Sequence, residues 1–178
     1  MLFAMQTKNL RVVLVGIALL ASPAVWAQGS ITTPALTDGS LQLTSSSHST
    51  VKISASDLKA MPHITASFHN AHTNAEEMYS GVRMADLLSK LGAPLGNELR
   101  GAALSSYIVA TGSDGYRAVL ALAEVDPSFH PGEVLVADAM NGKSLDEHSG
   151  PLKLVVTEDK RPARSVRNLV SIELKLAQ

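Results

Sequence analysis

Four cations stand within eight positions of one stretch, DKRPARSVRNLV (159–170): Lys160, Arg161, Arg164 and Arg167. A planar guanidinium donates in parallel to two phosphate or carboxylate oxygens, and an ammonium supplies a compact charge. Ser165, next to Arg164, adds a neutral hydroxyl donor. Such a set can bind an anion. The plainer alternative is a solvated turn bent by Pro162, since exposed charges are commonly just hydrated. A second group lies upstream, where His63, His69 and His72 fall within ten residues and Glu76 and Glu77 follow. Imidazole and carboxylate suit zinc, copper or iron. The spacing is irregular, so His69 and His72 are weak metal candidates and solvated loop histidines are the competing reading. His69 also suits a hydrogen-bonding role in the lining of a ligand pocket. Arg117, after the turn residues Asp114 and Gly115, points either at such a pocket or at solvent.

Composition removes several chemistries. The chain has no cysteine, which excludes disulfides, thiolate metal sites and a cysteine nucleophile. No serine-hydrolase elbow, phosphate-binding P-loop, dinucleotide fingerprint or zinc-protease helix appears. The N-terminus reads as a cleaved export signal. MLFAMQTKNLR carries Lys8 and Arg11 and no acid, VVLVGIALLASPAVWA follows as an apolar run, and Val25-Trp26-Ala27 ends it with small residues at the −3 and −1 positions. The apolar core is shorter than the roughly 20 residues a spanning helix needs, which argues against a retained anchor. Residues 1–27 are thus expected to be removed, leaving a periplasmic or secreted protein beginning at Gln28. Of the 15 basic residues, loss of Lys8 and Arg11 leaves 13 against 16 acidic, a net charge of −3. That balance argues against nucleic acid as a partner, and no later stretch is apolar enough to span a membrane.

The elements that would position these residues read as follows. QGSITTPALTDGS is polar and turn-rich, so residues 28–40 are expected to be a flexible segment, with a single domain over 41–178. LQLTSSSHSTVKIS predicts a hairpin around a serine-rich connection. SASDLKAMP predicts a short helix capped by Ser54 and stopped by Pro62. HITASF predicts a strand and HNAHTNAEE a polar loop. Met84, Leu87, Leu88 and Leu91 have the spacing of an amphipathic helix, ended by Gly92 and Pro94. SYIVAT and YRAVLAL flank an Asp114-Gly115 hairpin turn. EVLVADAM and PLKLVVT are β-branched runs with a tight turn at Asn141-Gly142 between them, and SVRNLVSIELKL closes as an alternating strand. Short helices interrupt the strands without a βαβ cadence. The fold class is therefore α+β, a strand-rich domain with a mixed β-sheet.

The order of these motifs resembles the molybdopterin-binding domain of the sulfite oxidase type. The carriers are YSGVRMADLLSKLGAP, then SDGYRAVLAL, VLVADAMNGKSLDEHSGPLKLVV and RPARSVRNLVSIEL, spanning roughly Ser54 to Leu176. The resemblance implies that fold, and an organic pterin whose phosphate is held near the closing segment. Arg164, Ser165 and Arg167 match that segment by position, with Lys160 and Arg161 at its rim. It also implies a molybdenum-ligating cysteine shortly before the Gly-Val helix. The matching stretch, ITASFHNAHTNAEEMYSG, has Phe68, His69 and His72 instead. Sulfite oxidation therefore loses its protein ligand, and the resemblance points away from catalysis.

Three functions fit these residues. One is a non-catalytic module holding a small anionic or pterin-like ligand. Another is a molybdopterin-dependent oxidoreductase or electron-transfer component whose metal is held by the pterin alone. The third is an interaction module that docks another exported protein. Function lives in the site rather than the fold, so the choice rests on geometry.

Overall fold

Alternating apolar residues pair these segments into two five-stranded sheets. The computed structural model describes residues 38–177. The first sheet uses β1 (Leu41–Thr44), β2 (Thr50–Ile53), β5 (Ser106–Gly112), β6 (Arg117–Ala121) and β10 (Leu169–Leu176), in the order β2-β1-β10-β5-β6. Its β1–β10 pair is parallel, with Leu43 opposite Ile172, and its other pairs are antiparallel. The second sheet uses β3 (Ile64–Asn70), β4 (Ala75–Arg83), β7 (Val134–Met140), β8 (Lys143–Ser144) and β9 (Lys153–Val156). It runs β3-β4-β7-β8, and β9 also pairs with β7. The α+β class and mixed pairing hold, spread over two sheets.

One face of each sheet meets the other in a single core. Leu41, Leu43, Ile108, Leu120, Ile172 and Leu174 come from the first sheet, and Val82, Val134, Val136, Leu154 and Val156 from the second. Helix α2 (Met84–Ser89) adds Met84, Leu87 and Leu88, all fully buried. Each such side chain withdrawn from water contributes about 1.5–3 kcal/mol, so the core needs no disulfide. The opposite face of the second sheet carries a smaller cluster of Phe68, Tyr79, Leu135, Ala137 and Val155. Gly81 sits where β4 shifts register against β7. A Cβ there would lie 2.2 Å from the Val136 carbonyl oxygen and 2.5 Å from Ala137 Cα.

Local signals are realised closely. Ser54 caps α1 (Ala55–Ala60) by accepting from the Asp57 N–H at 3.1 Å. Asn141 and Gly142 adopt φ of 52° and 76°, the left-handed backbone that lets a two-residue turn join β7 to β8. The remaining short helix, α3 (Leu122–Val125), follows β6 directly.

One expectation is corrected. HNAHTNAEE is not a loop: β3 runs through His69 and Asn70, β4 begins at Ala75, and four residues turn between them. The stretch is polar because its side chains pair across strands rather than because it lacks pairing. His69 Nδ1 lies 2.8 Å from Glu76, and Asn70 Nδ2 donates to Glu77 at 2.8 Å. At the end of the expected segment 28–40, Gly39 and Ser40 are buried. Ser40 donates to Asp38 from its N–H and hydroxyl, and Asp38 pairs with Lys52 of β2 at 3.3 Å. The expected leader and residues 28–37 lie outside the described residues. No helix among the described residues is long and apolar enough to cross a membrane.

Candidate functional site

Above the smaller cluster opens a cavity of about 600 Å³. Asn70, His72, Glu77, Tyr79, Met140 and Lys153 line it from the second sheet and the turn after β3. The β5–β6 turn brings Asp114 and Tyr116, and the strand-connecting loops bring His148, Ser149, Pro162, Ala163, Ser165 and Arg167. Strand alternation explains the sheet side. Glu77 and Tyr79 are two apart on β4, and Phe68 and Asn70 are two apart on β3, so apolar groups floor the cavity and polar ones edge it. Phe68 is buried and meets Tyr79 edge to face, with ring centroids 6.5 Å apart.

Lys153 is the central cation. Its Nζ donates to the Tyr79 hydroxyl at 2.7 Å and lies 4.6 Å from the centre of that ring. The Tyr79 hydroxyl in turn donates to Glu77 at 2.7 Å. Burial above all, and then the Glu77 carboxylate that accepts its proton, pushes the Tyr79 phenol up, so it stays neutral. Lys153 moves the other way. Burial chiefly pulls its ammonium below the ordinary lysine value, Glu77 and Asp146 oppose this, and the charge of Arg167 adds to the lowering. Two cations thus share one small space, and Arg167 also contacts the His148 ring. Together with the Ser149 and Ser165 hydroxyls, they form a donor set suited to an anion carrying several oxygens.

The residues singled out in the sequence divide between this cavity and elsewhere. Ser165 and Arg167 line it. Arg164 does not: Nε and Nη2 donate to Asp159 at 2.9 and 2.6 Å, and Nη1 donates to Glu124 of α3 at 2.8 Å. Arg164 ends the short 3-10 turn Pro162–Arg164, whereas Ser165 and Arg167 lie on either side of the fully buried Val166 in the chain that leaves that turn. Lys160, Arg161 and Arg117 are exposed and outside the cavity lining. His69 is also outside it, because β3 aims it at the opposite face from Asn70, beside Glu76. His72 reaches the rim from the turn, apart from His69, and His63 binds Met61 and Asp138. Among the described residues no three histidines or carboxylates are placed to hold a metal ion.

Sequence reading missed Lys153 and Tyr79, and took Glu77 only as a carboxylate beside the histidines. A strand reading from 75 onward would have placed Glu77 and Tyr79 on one face. Lys153 is a lone cation at the head of an apolar strand, a pattern that also fits an ordinary strand end.

Comparison with known proteins agrees with this architecture. Residues 30–178 match the family described as oxidoreductase molybdopterin binding domain. No curated protein matches the sequence. Among solved structures, the sulfane dehydrogenase SoxCD from Paracoccus pantotrophus matches with a TM-score of 0.60 at 16% identity, over 78% of this chain and 38% of that one. At that identity the likeness is one of fold, and this chain spans well under half of the SoxCD chain. With the family matched across both sheets and the cavity residues, the chain belongs to the oxidoreductase molybdopterin-binding domain family.

Proposed function

We propose that this protein is an exported, non-catalytic module that binds a small ligand bearing a phosphate or similar anionic group, pterin-like in class. The observation that carries this reading is the convergence of Lys153 and Arg167 on one cavity, where entering negative charge would offset the desolvation and repulsion that Glu77 and Asp146 oppose only in part. The family implies a molybdenum-bearing pterin. Its phosphate fits the donor set of Lys153, Arg167, Ser149 and Ser165. Its metal does not find a protein thiolate, because the chain contains no cysteine and the buried Phe68 lies in the stretch that matches the ligating region. The reading therefore assigns binding to these residues and no redox step.

Calorimetric titration with inorganic pyrophosphate tests it. Wild type is expected to bind, and Arg167→Gln to bind about tenfold or more weakly, because a charge-assisted hydrogen bond contributes about 1.5–3 kcal/mol. Lys160→Ala, at an exposed position, is expected to change affinity little and less still in salt. Absence of binding by the wild type, or equal losses in both variants, would overturn the anion reading. Export is tested separately by sequencing the N-terminus of the fractionated protein. Gln28 in the soluble exported fraction is expected, and an intact Met1 in the membrane fraction would refute cleavage.

A further inference from the structure

Ser165 and Arg167 form a cavity wall from irregular backbone. Their stretch belongs to no sheet, and its main-chain bonds run from Ser165 N–H to the Pro162 carbonyl at 3.0 Å, Leu154 N–H to the Val166 carbonyl at 2.8 Å, Ser113 N–H to the Asn168 carbonyl at 2.9 Å and Asn168 N–H to the Ser149 carbonyl at 3.1 Å. None of these ties it to α3, and Arg164 does. Its fork closes on Asp159, five residues earlier at the entry of the same turn, and its remaining nitrogen reaches Glu124 on α3. Tyr116, from the β5–β6 turn, adds a hydroxyl bond to the Ala163 carbonyl at 2.5 Å. The Arg164 side chain is 35% exposed and that of Asp159 16%, so the pair is partly shielded from solvent.

We propose that Arg164 is a positioning residue: it latches the 159–168 segment to α3 and so holds Ser165 and Arg167 in binding geometry, without touching the ligand. This rests on the anion-binding reading of the cavity. Two arguments favour it over a direct contact. One guanidinium facing two carboxylates makes a cluster of net charge −1, which repels an anion rather than attracting it. An irregular segment that must order on binding also loses affinity to its own entropy, and a preformed ion-pair clamp removes that cost beforehand.

A polarity swap separates latch from ligand contact. In a Glu124→Gln background, Arg164→Asp is expected to weaken pyrophosphate binding about tenfold, a change of about 1.4 kcal/mol. Amide hydrogen exchange at residues 163–168 should rise in the same ligand-free variant. Adding Asp159→Arg recreates the pair with its charges reversed, and should return both affinity and exchange close to the Glu124→Gln parent. Affinity that stays lost while exchange recovers would show that Arg164 contacts the ligand and overturn the latch. Unchanged affinity and exchange in the Arg164→Asp variant would overturn it as well. If the swapped protein does not fold, Arg164→Lys takes its place, since one retained ion pair should recover part of both signals and recovery of neither would count against the latch. If the wild type binds no pyrophosphate, the anion reading fails on its own. The latch is then decided by exchange alone, with faster exchange supporting it and unchanged exchange refuting it.

Discussion

Replacing Lys153 by methionine is expected to weaken pyrophosphate binding about ten- to hundredfold, the loss of a charge-assisted hydrogen bond worth about 1.5–3 kcal/mol, while making the ligand-free protein more stable. The second half follows from the lowered ammonium. Burial, with Arg167 adding to it, makes the protonated side chain less favourable folded than unfolded, so at neutral pH it subtracts from stability. Because the folded value lies below the unfolded one, this cost is present at all pH below the folded value and fades as pH rises toward the ordinary lysine range. Methionine keeps the stem over the Tyr79 ring and removes the charge. Tyr79 keeps its bond to Glu77. Thermal melts of the two proteins should therefore diverge at pH 7 and converge in alkaline buffer. An anion reverses the balance by favouring the ammonium, so wild-type affinity should fall as pH rises through the free-state value of Lys153. A variant that binds as well as wild type, or melts lower at pH 7, would remove Lys153 from the centre of the site. The trade of stability for binding is usual where a site must hold unsatisfied charge.

Gly81→Ala is expected to have the largest effect on folding, costing at least about 3 kcal/mol, beyond ordinary overpacking because the obstruction is main chain. The added methyl would sit 2.2 Å from the Val136 carbonyl oxygen and 2.5 Å from Ala137 Cα, and neither can swing aside as a side-chain tip would. The β4–β7 ladder shifts register at this point, and both the main core and the cavity floor hang from it. Urea denaturation should show a much lower midpoint, or no folded baseline. Gly92→Ala provides the contrast. Nothing lies near its Cβ, and only its φ of 68° opposes the change, so a smaller loss is expected there. Equal midpoints for Gly81→Ala and wild type would show that β7 yields at this crossing.

The sequence disclosed the strands whose apolar residues alternate and the turns whose chemistry is local. Asp114-Gly115, Asn141-Gly142 and the Ser54 cap each depend on neighbours a few residues away, so they were legible. The β3–β4 hairpin was not, because its outer half is polar and its stability comes from pairs such as His69 with Glu76 that no periodicity advertises. The cation cluster was legible as charge but not as direction. Whether Arg164 faces a ligand or its own Asp159 is decided by the 3-10 turn that Arg164 ends, and by a carboxylate 40 residues away on α3. Lys153 joins the site only because β9 lies alongside β7 and brings it to Tyr79, a neighbour 74 residues away in sequence. Long-range pairing of this kind leaves no local mark.

The parallel pairing of β1 with β10 has a consequence for how the protein is made. β10 lies between β1 and β5, so the strand at the middle of the first sheet follows all the other described strands in chain order. Until it arrives, the β1–β2 and β5–β6 hairpins are separate ribbons, each with an apolar face and no shared seam, and two-stranded ribbons alone are barely stable in water. Closure of the first sheet therefore waits on β10, whose pairing with β1 joins residues far apart in sequence and is the slowest kind of contact to form.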